Sequence, residues 1–197
     1  MKRIRGTCLL SALLLAAFAS RSLAQEPASA SGAGLKAELL AELTGVEKKL
    51  VDLAQAVPAE KYGWRPGDGV RSVSEVYMHV AGANFMLPSL MGVKPPEGID
   101  PGMEKTVTDR AKVVEMVKKS FDHTRKAVES TPLADFDKKI KYFGREGTVR
   151  SLFLLLVNHA HEHMGQSIAY ARINGVTPPW SAVEEKPAPK EPKGTKG

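Results

Sequence analysis

Cysteine is almost missing from this chain: Cys8 is the single one in 197 residues. It heads the apolar run CLLSALLLAAFA, which follows Lys2, Arg3 and Arg5 and precedes SRSLAQEP, where Ser22 and Ala24 fit the small-residue cleavage rule. This pattern predicts a secretory signal peptide over residues 1–24, cleaved after Ala24, and hence an exported protein, periplasmic or secreted. A lipoprotein signal would carry its cysteine beside the cleavage site, so Cys8 leaves with the signal. The mature chain then has no thiol, which excludes disulfides, thiolate nucleophiles and Cys-ligated zinc or iron–sulfur sites together. A long hydrophobic run is missing too: the signal's run is too short for a permanent span, so no stable membrane anchor is expected.

An excess of one charge is also lacking. The formal net charge of the whole chain is +6, but without Lys2, Arg3, Arg5 and Arg21 the mature part has 24 basic and 22 acidic residues, a net of +2. That leaves no electrostatic footprint for nucleic acid.

Strand-like alternation is scarce, and helical period is plentiful. From Leu35, apolar residues recur at Leu39, Leu43, Val46, Leu50, Leu53 and Val57, the three-four spacing of a buried stripe. Pro58, Pro66, Gly67 and Gly69 then break the pattern, leaving Tyr62 and Trp64 free to pack back. In RSVSE, Ser72 and Glu75 stand three apart as a capping box for a second helix running to about Leu87, ahead of Pro88. The loop GVKPPEGIDPG follows. A third helix is expected over about 107–130, capped by Thr106 or Thr108, with Val107, Val114, Val117, Phe121 and Val128 as its stripe. A fourth runs from about Thr148 to Asn174, stopped by Gly175, Pro178 and Pro179. The stretch KKIKYFG is short enough for a strand-like turn, but the reading is all-α, a four-helix bundle over residues 35–183. Residues 25–34 read as a flexible linker and 184–197 as a disordered Pro/Lys-rich tail.

The sequence HAHEHMGQ, residues 159–166, concentrates the chemistry. At about 100° per residue, Leu152, Leu155, Leu156, His163, Gln166, Tyr170 and Ile173 fall within roughly 60° of His159, while His161 lies roughly 200° around and faces outward. Two imidazoles one turn apart can share a divalent ion, but a tight site needs a third ligand. His123, two residues after Phe121, faces away from its helix's stripe; His79 shares an inward face with Glu75, Val76, Ala83, Met86 and Leu90. The expected metal ligands are therefore His79, His159 and His163. A single inward histidine is usually a hydrogen-bonded core residue, but three in one small domain point to a common ion. The zincin motif is excluded, because His161-Glu162 has Gly165 where its second histidine belongs. Paired Glu-x-x-His motifs of a di-iron bundle are missing.

The segments AVPAEKYGWRPGDGVRSVSEVYMHVAGANFML, TVTDRAKVVEMVKKSFDHTRKAV and LLLVNHAHEHMGQSIAYARINGVTPPWS, in this order, resemble the DinB-like superfamily of four-helix metalloproteins. The resemblance implies a divalent ion held by a histidine of the second helix and a His-x-x-x-His pair of the last, with water in the open positions. Those roles fall on His79, His159 and His163. The family pattern His-His-Arg-Gly-Gln around the last ligand reads Glu162-His163-Met164-Gly165-Gln166 here, which removes any substrate contact of that arginine. Glu162 is a candidate for orienting an imidazole or for acting as a base, against the plainer reading of a solvated helix residue. Gln166 is a candidate hydrogen-bonding partner of the site, against a packing amide. Gly165 is read as permitting close helix approach, Trp64 and Tyr170 as pocket wall or core, and Glu75 as the partner of Ser72 rather than a fourth ligand.

The expected function is a metal-dependent hydrolase, or a thiol-type transferase, acting on a small molecule the sequence does not identify. The alternative is a non-catalytic metal-binding module of the cell envelope whose ion is structural. Imidazole ligands suit zinc, nickel or iron alike. A homodimer is left open.

Overall fold

The computed structural model describes residues 28–181. The expected signal peptide over residues 1–24, its cleavage site and the expected tail over residues 184–197 lie outside the described residues. The helices are α1 (Ala28–Ala56), α2 (Val73–Met86), α3 (Met103–Thr106), α4 (Arg110–Ser130) and α5 (Val149–Ile173), with the strands β1 (Lys139–Tyr142) and β2 (Arg145–Thr148) between α4 and α5. No helix among the described residues is long and apolar enough to cross a membrane.

Each long helix forms where the apolar period lies. Leu39, Leu43, Val46, Leu50, Leu53 and Val57 are all buried. The helix begins earlier than the expected linker allows, at Ala28. Alanine is the strongest helix former, and Ala28, Ala30 and Ala33 extend α1 before its first buried residue, Leu39. In α2, 10 of 14 residues are buried, so it sits in the middle of the bundle and shows no single polar face. The packing runs in a ring: α1 and α2 each lie against both α4 and α5 and make little contact across the diagonal. Chain-successive α1 and α2 are thus opposite one another, which is why a long connection joins them. That connection is anchored by Tyr62, whose buried hydroxyl donates to the Ala54 carbonyl at 2.6 Å and whose ring stacks on Tyr77.

Three expectations need correction. Helix α4 starts at Arg110, and its cap is Asp109, whose carboxylate accepts from Lys112 N–H at 2.9 Å. Thr106 and Thr108, both upstream, are passed over because the single turn α3 ends at Thr106 and Val107 is extended, placing the Asp109 carboxylate where the helix's free N–H groups emerge. Second, KKIKYFG does form a strand. It pairs antiparallel with Arg145–Thr148, with Tyr142 opposite Arg145, leaving Phe143 and Gly144 as a two-residue turn. Gly147 makes this possible: a Cβ there would lie 2.4 Å from the Tyr142 ring, which covers it while its hydroxyl meets Ser151 Oγ at 2.8 Å. Third, Gly165 is exposed, and a Cβ added there would find nothing within 4 Å, so no helix approaches it.

The capping box of α2 is complete. Glu75 N–H donates to Ser72 Oγ, and Ser72 N–H to Glu75 Oε2 at 2.7 Å. Burial pushes the Glu75 carboxyl up, but the Ser72 N–H, Lys105 and Arg65 outweigh it and hold the group below its ordinary value of 4.5. A carboxyl depressed by folding stabilises the fold above that ordinary value, and the contribution disappears as pH falls through the depressed one.

Ser72→Ala should lower the unfolding free energy by about 1 kcal/mol, and the gap in stability between wild type and Glu75→Gln, followed by urea unfolding, should narrow as the pH falls below 4.5. Gly165→Ala, free of clashes, should raise stability by about 0.8–1 kcal/mol in the same assay; a loss would mean that the glycine is needed where it stands.

Candidate metal centre

The seam between α2 and α5 brings His79, His159 and His163 together. Their ring centroids form a nearly equilateral triangle of 5.0, 4.8 and 4.6 Å. One nitrogen from each lies within 4.8 Å of the other two. His79 Nε2 and His159 Nε2 are 3.1 Å apart.

The outward nitrogens determine which ones face the centre. His79 Nδ1 meets Glu104 Oε2 at 2.9 Å, and Arg71 Nε donates to the other oxygen of Glu104 at 2.9 Å. Burial pushes the Glu104 carboxyl up, but the bonds from His79 and Arg71 bring it below its ordinary value, so it is ionised at neutral pH and accepts. His79 Nδ1 must then carry the proton, leaving Nε2 bare. His163 Nδ1 is 2.8 Å from Gln166 Oε1, and the Gln166 amide N–H donates to the Tyr170 hydroxyl at 2.9 Å. His163 Nδ1 is thus engaged by Gln166, and Nε2 is the nitrogen left for the centre. This is the arrangement in which a carboxylate or amide behind an imidazole fixes its tautomer and raises its basicity toward a metal.

His159 has no such support: its buried Nδ1 finds no hydrogen-bond partner among the described residues. Burial, followed by the charges His163, His79 and Arg71 would add, pushes its pKa down to about 4. Burial lowers His79 too, and Arg71 adds to this, although Glu104 opposes both. Near neutral pH these two rings are uncharged and offer lone pairs, the form a metal requires.

The remaining expectations sort as follows. Glu162 is exposed and joins none of the hydrogen bonds around the three rings. Gln166 holds His163. Trp64 meets Tyr170 edge to face at 5.4 Å, so this aromatic pair stands behind Gln166. His161 lies at the surface side of α5, bonded to the Val157 carbonyl and 3.9 Å from Glu42. His123, expected to face outward, is buried against Phe85, 5.9 Å between rings. The stripe arithmetic fails there because α4 packs on α1 and α2 at once, which buries a sector wider than one stripe. Glu75 is held by Ser72, Lys105 and Arg65, as a capping residue.

Glu104 was not among the residues singled out from the sequence. It lies in one turn of helix within a Pro/Gly-rich loop, without periodicity; the usable signal was Asp100-Pro101-Gly102, where the Asp100 carboxylate accepts from Gly102 N–H at 2.8 Å and turns the chain into α3. Glu104, His79 and His159 all border a cleft of about 400 Å³, walled mainly by Met78, Met86, Leu87, Met103 and Leu155. On its other side Glu104 borders a polar recess with Arg65, Arg71, Lys105 and Gln166.

Comparison with known proteins agrees with this architecture. No curated protein matches the chain. A DinB-like protein from Bacillus cereus ATCC 10987 superposes with a TM-score of 0.64 at 20% identity, covering 72% of this chain and 93% of its own. The DinB-like protein YjoA from Bacillus subtilis gives 0.57 at 22% identity, covering 71% and 93%. The model of the DinB superfamily matches residues 42–167, which include all three histidines, the whole of α2 and α4, and parts of α1 and α5. The chain belongs to the DinB superfamily.

Proposed function

We propose that this protein is a metal-dependent hydrolase in which His79, His159 and His163 hold one divalent ion through their Nε2 atoms. The observation that carries this reading is the convergence of three ring nitrogens at the edge of an open cleft. Two features of the donor set support the fit. Two nitrogens that both stand about 2.0–2.1 Å from an ion and 3.1 Å from each other subtend roughly 100° at it, within the range of real sites. His159 Nδ1 is buried without a partner among the described residues, so Nε2, 3.1 Å from His79 Nε2, is the nitrogen this ring offers.

Three neutral ligands leave a divalent ion its full charge and an open position, the pattern of catalytic rather than closed structural sites. When bound there, such an ion supplies Lewis acidity, polarising a carbonyl and easing the loss of a proton from water. The protein's own groups do the rest. Glu104 keeps the His79 proton on Nδ1, and Arg71 keeps Glu104 ionised and aimed. Gln166 does the same for His163, steadied by Tyr170. The walls of the cleft are mainly apolar, and its polar groups lie with the histidines, where a carbonyl group would find its partners. Glu104 is committed to His79 and Arg71, so its carboxylate, which borders both the cleft and the polar recess, serves to orient His79.

His79→Ala and His163→Ala should each reduce bound metal, measured by elemental analysis of purified protein, from near one equivalent to near none. The melting temperature should change by only a few degrees. Wild type without stoichiometric metal, or a collapse of the fold on chelation, would rule out a catalytic ion. Glu104→Gln should keep the fold and weaken metal affinity by about 10–100-fold, read by competition with a chromogenic chelator; ester or amide hydrolysis, screened with and without chelator, should fall with it.

A further inference from the structure

The β-hairpin carries a residue that its local structure disfavours. Phe143 and Gly144, the two turn residues, both have positive φ, 49° and 73°. A two-residue turn with both φ positive favours Asn-Gly or Asp-Gly, because an asparagine or aspartate tolerates the left-handed region. Phe143 is the one non-glycine residue with positive φ among the described residues. Within the hairpin its ring meets that of Tyr142 edge to face at 6.1 Å, yet it remains 73% exposed, the most exposed large hydrophobic side chain described. Strain and exposure together call for a reason outside the turn.

The position of the ring supplies one. Phe143 borders the cleft that opens on His79 and His159. The charged or polar side chains bordering this cleft are His79, His159, Glu104 and Asp100; the rest of its wall includes Met86, Leu87, Ile99, Met103 and Leu155. Methionines adapt their shape to what they meet, and Met86 is itself 46% exposed. A cavity of about 400 Å³, apolar apart from one polar cluster, has the size and character of a small-molecule site. The hairpin is also fixed in place: Tyr142 is seated on Gly147 and bonded to Ser151. Its tip is thereby held at the rim.

We infer that the cleft binds the hydrocarbon chain of an aliphatic acyl substrate, with its carbonyl at the histidines and Phe143 as the cover over the chain. This rests on the hydrolase reading for the position of the carbonyl, while the apolar contact with Phe143 stands apart from it.

The probes are alkyl hydroxamates of two, four, six and eight carbons, titrated calorimetrically into the full mature chain loaded with zinc. Affinity should rise about fourfold per added methylene until the cleft is filled. Phe143→Asn restores the preferred turn, so its melting temperature should equal or exceed that of wild type. It should bind the two-carbon probe unchanged and the eight-carbon probe about tenfold more weakly. Equal affinity along the series, or an unaltered eight-carbon affinity in Phe143→Asn, overturns the inference and leaves the metal reading intact. Should no hydroxamate bind, the open ion fails, and the cleft is judged alone by displacement of Nile red with octanol from metal-free protein. Displacement from wild type that is several-fold weaker in Phe143→Asn upholds the cleft; no displacement, or the same in both, overturns it.

Discussion

Everything around the centre follows from placing three imidazoles from two helices within contact of one another in a half-buried seam. Imidazoles packed this closely cannot all be protonated, because each added charge would be desolvated and would repel the others. The structure therefore spends its polar groups on fixing tautomers. A carboxylate stands behind one ring and an amide behind another, and each of these is in turn held by a guanidinium or a phenol. The lone pairs left over point inward. The bundle supplies the rigidity this needs, because α2, the most deeply buried helix, carries His79, and α5 carries the other two.

The polar groups near the site divide into two chains that do not share members. Glu104 and Arg71 serve His79, whereas Gln166, Tyr170 and Trp64 serve His163. Glu75 lies close in sequence to His79 but belongs to the helix start, where Ser72, Lys105 and Arg65 take up both its oxygens. His159, whose Nδ1 has no partner among the described residues, is held by packing and by the contact of its Nε2 with His79.

Much of this was legible in the sequence because helices repeat regularly. The stripe of α1, the capping box of α2 and the threonine that starts α5 all follow from spacing. The same rotation of about 100° per residue separated His159 and His163 from His161. What could not be read was whatever depends on non-periodic chain. Glu104, 25 positions after His79, reaches it from one turn of helix at the end of a loop. The hairpin depends on Tyr142 covering Gly147, a contact no spacing rule anticipates. His123 was misplaced because a helix touching two neighbours buries more of its circumference than a single stripe.

The hydroxyl of Tyr142 on Ser151 ties the hairpin to the first turn of α5. Phe143 and two of the histidines consequently ride on one jaw of the cleft, while His79 and, through its hydrogen bond, Glu104 ride on the other. An ion shared by all three rings is then a cross-link between the jaws. Its radius would set how far the mouth can gape, so exchanging a small cation for a larger one would alter the room for a guest as well as the chemistry done to it.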